Sequence, residues 1–228
     1  MKHSISIKTA NGVLSVDNFK AQGMAKSDVI GVVLQTEVIG VIIALDQCKA
    51  KWCSKDNCEV FNKACDEAEA LQTPDGLELT RNIVKQNRED GEEMTAAMYC
   101  WDYNKGELQW YLPSLYELGT ITAYRDEVNE VLKMLDADLF NAGDWGWSSS
   151  ERYSGYAWFV NFSTGFFNSN DKCSALVVRA VSAFSPLQRG GASSPSGDVD
   201  YSQLSEKAVI EYLRQLGYGG ELTKKIKL

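Results

Sequence analysis

Six cysteines, one histidine and a few isolated charges are the side chains of this 228-residue sequence from which chemistry could be assembled. Cys48, Cys53, Cys58 and Cys65 crowd one short polar segment, and four thiolates are a donor set for structural zinc. Their gaps of four, four and six residues contain no Cys-x-x-Cys knuckle, and His3 is far off in sequence. Unpaired thiols in a loop and first helix are therefore expected in preference to a metal site. Nucleophilic catalysis fares no better. Cys173 stands alone in the C-terminal half, and no Ser/His or Cys/His pair can form there without His3, which lies in a terminal strand. The calcium-lectin words Glu-Pro-Asn, Gln-Pro-Asp and Trp-Asn-Asp do not occur, which argues against a calcium-assisted sugar site. No catalytic residue, no metal ligand set and no cofactor is expected, and the chain is read as non-enzymatic.

Bulk properties narrow the partners. A net charge of -8 and a pI near 4.8 argue against nucleic acid or an anionic membrane, both of which need a cationic footprint. Lys224, Lys225 and Lys227 make a local basic group, taken as a solvated end. The first residues lack an apolar signal-peptide core, and no run of about 18 apolar residues occurs. The expectation is a protein without membrane insertion that stays in the cytoplasm or is built into a virion there, with its cysteines reduced.

What remains is recognition, and the stretch from Trp147 to Phe184 has the composition for it. Ala157 to Phe162 alternates as a strand, with Trp158, Val160 and Phe162 expected in the core and Phe159 and Asn161 on the other face. Ser163-Thr164-Gly165 reads as a turn, after which Phe166 is expected outside and Phe167 inside. Exposed aromatics beside Ser, Asn and Gly are the mixture that antibody paratopes use. The ligand-binding candidates are Arg152, Tyr153, Ser154, Tyr156, Phe159, Ser163, Thr164, Phe166, Asn168, Ser169, Asn170, Asp171, Cys173 and Ser174. Arg179, inside an apolar strand, needs a partner, and Glu151 is the candidate. Trp145 and Trp147 read as framework.

The elements that must position this surface follow the patterns of polarity. Residues 5 to 45 read as antiparallel strands: Ile5 and Ile7 alternate with polar neighbours, Asn11-Gly12 signals a hairpin, and Val13 to Val16 returns. Val29 to Leu34 and Val38 to Leu45 are β-branched runs, the second expected to be buried on both faces. Helical spacing covers about 57 to 71 and 76 to 87, broken at Thr73-Pro74-Asp75-Gly76, and returns from Met94 to Tyr103. Ser114 and Glu117 form a capping box, so a strand ends near Leu112 and a helix runs to about Leu135 with a break at Gly119. Asp136 to Gly146 is a loop. The stretch 185 to 200 has linker composition, and 201 to 228 reads as a helix and tail.

Several of these words occur in a specific order. Trp110 to Glu117 carries Trp and Leu-Pro-Ser, followed by a helix, Trp147-Ser-Ser-Ser-Glu151, Ala157-Trp158 before a strand, and Val178-Arg179-Ala180-Val181-Ser182-Ala183-Phe184. In this the chain resembles C-type-lectin-fold domains of the formylglycine-generating-enzyme type. More narrowly, it resembles the variable target proteins of diversity-generating retroelements found in gut bacteria and their phages. The resemblance covers about residues 25 to 184. It implies an α+β, C-type lectin fold, mostly antiparallel sheet with two or more helices, whose C-terminal hairpin displays a hypervariable binding surface. Domains are then 1–24, N-terminal strands; 25–184, the ligand-binding domain; 185–200, a linker; and 201–228, serving virion attachment or homo-oligomerisation. The implied partner is a protein or glycan on a cell surface. Variable segments of this kind usually close the protein, whereas 44 residues follow Phe184 here. The copper-binding cysteine pair of formylglycine-generating enzymes has no counterpart between 147 and 184.

The genetic code offers a check on that implication. Randomised adenines of Asn codons cannot yield Lys, Glu, Gln, Met or Trp. These five types make up 52 of the 228 residues, yet only Trp158 and Lys172 represent them among the 27 positions from Arg152 to Val178. The depletion agrees with diversification, and an aromatic hairpin would also be poor in Lys and Glu. Two other classes remain open: an enzyme of the wider fold family using Cys173, and a zinc-stabilised structural protein built on the early cysteines.

Overall fold

A computed structural model describes residues 3–54, 60–61, 65–92 and 94–184. The expectations for Cys58, for 185–200 and for 201–228 lie outside the described residues.

Two sheets dominate the architecture. β1 (Ser4–Thr9), β2 (Gly12–Ser15), β3 (Val29–Gln35), β4 (Gly40–Ala44), β6 (Trp110–Tyr111) and β11 (Val181–Ala183) form a six-stranded sheet in the order β2-β1-β3-β4-β11-β6. β5 (Cys48–Lys51), β7 (Trp145–Tyr153), β8 (Tyr156–Asn161), β9 (Phe167–Asp171) and β10 (Ala175–Val178) form the second, in the order β5-β10-β7-β8-β9. All pairings between these strands are antiparallel except β10 with β7. The helices are α1 (Val16–Ala21), α2 (Glu67–Ala70), α3 (Gly76–Glu89), α4 (Ala96–Trp101), α5 (Leu115–Ala123) and α6 (Arg125–Met134). This is the α+β, mostly antiparallel class that the sequence predicts.

The local chemistry explains most of the boundaries. β2 ends one residue before the expected Val16 because the Ser15 hydroxyl accepts the Asn18 amide (3.2 Å) and starts α1, as an N-cap does. α5 begins on the expected capping box, with Ser114 Oγ accepting Glu117 N (3.2 Å) and Glu117 accepting Ser114 N (2.8 Å). The expected break at Gly119 is corrected: Gly119 lies inside α5, and the interruption falls at Tyr124, between α5 and α6. Nothing lies within 4 Å of a Cβ placed on Gly119, so this glycine relieves no contact. The first expected helix, about 57 to 71, is reduced among the described residues to α2, capped by Asp66.

Both sheets bury two faces at their central strands. β3 and β4 are buried along nearly their whole length, as β4 was expected to be. One core holds Ile7, Val32, Leu34, Ile43, Leu115, Ile121, Leu132, Trp158, Val160 and Phe162. The other holds Val33, Ile42, Trp52, Ile83, Trp110, Trp147, Ala157 and Phe159. β8 therefore separates two apolar cores, with its even positions entering one and its odd positions the other. The chain crosses between sheets at Arg179-Ala180, where Ala44 N donates to Ala180 O (3.0 Å) and ties the crossing to β4.

Candidate functional site

β7, β8 and β9 form the meander that carries the candidate surface, with β9 at its open edge. The register sets Tyr153 opposite Tyr156, then Tyr156 opposite Asp171, Trp158 opposite Ser169 and Phe159 opposite Asn168. The β8–β9 turn is built by Asn161, whose Oδ1 accepts the Ser163 amide (2.9 Å) and the Thr164 amide (3.1 Å). Gly165, at φ +70, completes it, a conformation that side chains other than glycine's disfavour.

The expected contacts fall into two exposed groups joined by the edge strand. At one end Tyr153 (41% exposed) and Tyr156 (37%) pack ring to ring at 4.9 Å, with Asp171 beside them. Arg152 lies with its guanidinium 5.6 Å from the Tyr153 ring and 5.1 Å from the Trp158 ring, and donates to Ser169 Oγ (2.5 Å). At the other end stand Ser163, Thr164 and Phe166, the last 60% exposed. Asn168, Ser169, Asn170 and Asp171 run between the two ends along β9, at least partly exposed throughout. Ser154, Cys173 and Ser174 are half-buried in the adjoining turns. Cys173 N donates to Asp171 Oδ1 (2.7 Å). Phe166 outward and Phe167 packed on the core match the expected alternation.

Two expectations are corrected. Phe159 is not a surface contact: it is 5% exposed, with Trp145 stacked on it at 5.0 Å and Trp147 edge-on at 6.4 Å. Sequence alternation assumes one wet face, and at Phe159 β8 has none, because the second core covers it. The expected Arg179–Glu151 pair does not form either. Arg179 donates to Gln47 Oε1 (2.7 Å), Asp138 O (2.8 Å) and Ala44 O (3.3 Å) and lies 4.2 Å from the Phe140 ring. Burial lowers its pKa to about 10.

Glu151 takes Lys172 instead, an ion pair in which each side chain is 1% exposed. Lys172 Nζ also donates to Ser154 O (2.9 Å) and sits 4.4 Å from the Trp52 ring centre. The Glu151 carboxylate accepts Val60 N (3.0 Å) and Phe61 N (2.9 Å). Trp52 N (2.9 Å) and Cys53 N (3.2 Å) donate to Lys172 O. One ion pair thus fastens the β7–β8 turn and the turn after β9 to the segment beyond β5. The sequence does signal Lys172, as the lone lysine in a stretch depleted of that type.

The tryptophan-and-serine word at 147–151 is a set of backbone anchors. The Trp147 indole donates to Ser174 O (3.2 Å), Ser148 Oγ to Trp158 O (2.7 Å), and Ser149 N to Pro113 O (2.8 Å). Ser150 Oγ accepts Leu115 N (3.0 Å). Trp145, expected as framework, is 44% exposed.

His3 bonds to Glu127 (2.6 Å) and packs on Tyr124. Among the described residues no three His, Cys, Asp or Glu side chains converge as metal ligands, and no helix is long and apolar enough to cross a membrane. Among the described residues Glu117, in the first turn of α5, is a buried carboxyl whose pKa is raised, to about 7; burial is the cause, opposed by bonds from Ser114 and Tyr111.

These two sheets and their helices define an α+β protein with a displayed C-terminal meander, and that fold is found in a solved fimbrial protein from Bacteroides ovatus. The two share 13% identity at a TM-score of 0.62, over 78% of this chain and 48% of the other, so the chain spans about half that protein's length. Residues 47–182, more than half of the sequence and including every hairpin candidate, match the model of the Lcl C-terminal domain, and the chain belongs to that family. No curated protein matches it.

Proposed function

We propose that the chain is a non-enzymatic recognition protein that binds a protein or glycan on a cell surface through its C-terminal meander. We further propose that this meander is diversified, as in the variable proteins of diversity-generating retroelements. The carrying observation is how residue type sorts with burial between Arg152 and Val178. Trp158 (4% exposed) and Lys172 (1%), the two residues that randomised Asn codons cannot produce, are both inside the scaffold. Tyr153, Tyr156, Ser163, Thr164, Phe166, Asn168 and Asp171 are all exposed and all of permitted types. A surface whose specificity is carried by replaceable side chains needs anchors that are not replaced, and the Glu151–Lys172 pair supplies one. A setting in a phage virion or against a host surface, with attachment or oligomerisation through 201–228, belongs to the same proposal.

The test is binding of fluorescently labelled chain to a panel of intact bacterial and epithelial cells. Tyr153→Ser, Tyr156→Ser and Phe166→Ser together should abolish binding to whichever cells the parent labels, while the melting temperature moves by only a few degrees. Retained binding by that triple variant would overturn the assignment of the surface.

A further inference from the structure

β9 ends the strand order of its sheet and, among the described residues, pairs with β8 alone. In an antiparallel pair, residues that exchange backbone hydrogen bonds with the partner strand alternate with residues that turn theirs away. Both ends of β9 set the phase of that alternation: Asn161 N donates to Phe166 O (2.8 Å), and Lys172 N to Gly155 O (3.1 Å). Residues 168 and 170 therefore bond to β8, and Phe167, Ser169 and Asp171 turn their amides to the open edge. At that edge the Ser169 amide donates to Asn168 Oδ1 (2.8 Å) and the Asp171 amide to Asn170 Oδ1 (2.9 Å). Asn168 and Asn170 stand opposite Phe159 and Ala157 in the register, so both side chains rise on one face of the sheet and reach the edge from there.

We infer that Asn168 and Asn170 form an autoinhibitory latch, holding the outward amides of β9 so that this edge does not pair with β9 of a second copy of the chain. The pairing they oppose is the symmetric antiparallel one centred on Ser169, because it makes 167, 169 and 171 the hydrogen-bonded positions. In that register Phe167 of one copy faces Asp171 of the other, and Ser169 faces Ser169. Charge does not forbid it. The two Asp171 carboxylates lie four residues apart along the strand, about 14 Å, well past the screening length of about 8 Å at physiological salt. The caps do oppose it. With both in place an incoming strand must displace two bonds already made, so it gains no net hydrogen bond at Ser169 or Asp171. Without them both donors are left to water, the ordinary state of an edge that recruits another strand. Two of the ligand candidates thus act on their own strand. The recognition reading is not needed for this, because every atom involved belongs to β9 or its side chains.

The test compares the full chain with its Asn168→Ala, Asn170→Ala double variant. Asn168 is exposed and Asn170 half-buried, so the melting temperature should stay near the parent's. Amide hydrogen exchange by NMR is read in dilute protein, and molecular mass by sedimentation across a concentration series. In dilute solution the Ser169 and Asp171 amides of the variant should exchange about five- to tenfold faster than the parent's, as the loss of one hydrogen bond each implies. On concentration the variant's mass should double relative to the parent's, and protection of the same two amides should return as the edges pair. Unchanged exchange in dilute solution would show that the side chains do not hold these amides. A variant mass equal to the parent's throughout the series would show that the caps are not what opposes pairing. A rise in mass without renewed protection at Ser169 and Asp171 would place the association elsewhere, and each of these three results overturns the inference.

Discussion

Replacing Lys172 by Met tests the anchoring of the meander most directly. Methionine fills most of the space of the lysine stem and removes the ammonium, and with it the cation 4.4 Å from the Trp52 ring centre. What is lost is the cation beside Glu151, whose side chain is 1% exposed, and the bond to Ser154 O. Glu151 retains its two backbone donors, Val60 N and Phe61 N, but these offset only part of an uncompensated buried charge. Breaking one partner of such a pair costs about 3–5 kcal/mol. For a domain of this size each kcal/mol lowers the melting temperature by roughly 2–4 °C, so a fall on the order of 10 °C is expected by calorimetry or circular dichroism. Glu151→Gln in the Lys172→Met background should recover much of the loss, since the pair is then replaced by a neutral amide facing a thioether. A double-mutant cycle extracts the coupling. If Lys172→Met cost less than about 1 kcal/mol, or the double variant lost the sum of the two single losses, the pair would not be the anchor described here.

Two further outcomes follow from buried groups. Glu117 has a folded-state pKa of about 7 against an ordinary 4.5, so folding takes up a proton there. Its favourable contribution is complete below about 4.5 and is lost as pH rises through 7; at 1.36 kcal/mol per unit this amounts to about 3 kcal/mol. The fall in melting temperature between pH 4.5 and 7 should flatten in Glu117→Gln, and an unchanged slope would refute the assignment. Phe159→Ala should cost about 3–5 kcal/mol as a core truncation, read by urea unfolding. A loss no larger than that of exposed Phe166→Ala would contradict the burial of Phe159 under Trp145 and Trp147.

Local signals in the sequence were strong where one residue acts on its neighbours. The Ser114–Glu117 box, the Asn11-Gly12 hairpin, the apolar run of β4 and the outward Phe166 each depend on short-range geometry, and each is found as read. The misreadings arise where a distant element decides. Phe159 alternates like a half-exposed residue, yet the second core and Trp145 close over it. The sequence words pair Arg179 with Glu151, but the fold brings carbonyl oxygens from Ala44 and Asp138 to it. Glu151 and Lys172 are 21 residues apart, joined because the β7–β8 turn and the turn after β9 meet, with Lys172 N donating to Gly155 O. No periodicity in the chain encodes that meeting.

The placement of β9 at the open edge of its sheet sets a limit of a different kind. An edge strand offers unpaired amide and carbonyl groups to any other strand, and chains avoid unwanted pairing by keeping such edges short, polar or charged. β9 reads Phe167-Asn-Ser-Asn-Asp171, a sequence ill suited to self-assembly. Sequences that placed Val, Ile or Phe together at 168, 169 and 170 would create the apolar, high-β segment that nucleates aggregation. The sequences this strand can carry are therefore bounded by colloidal stability as well as by the fold.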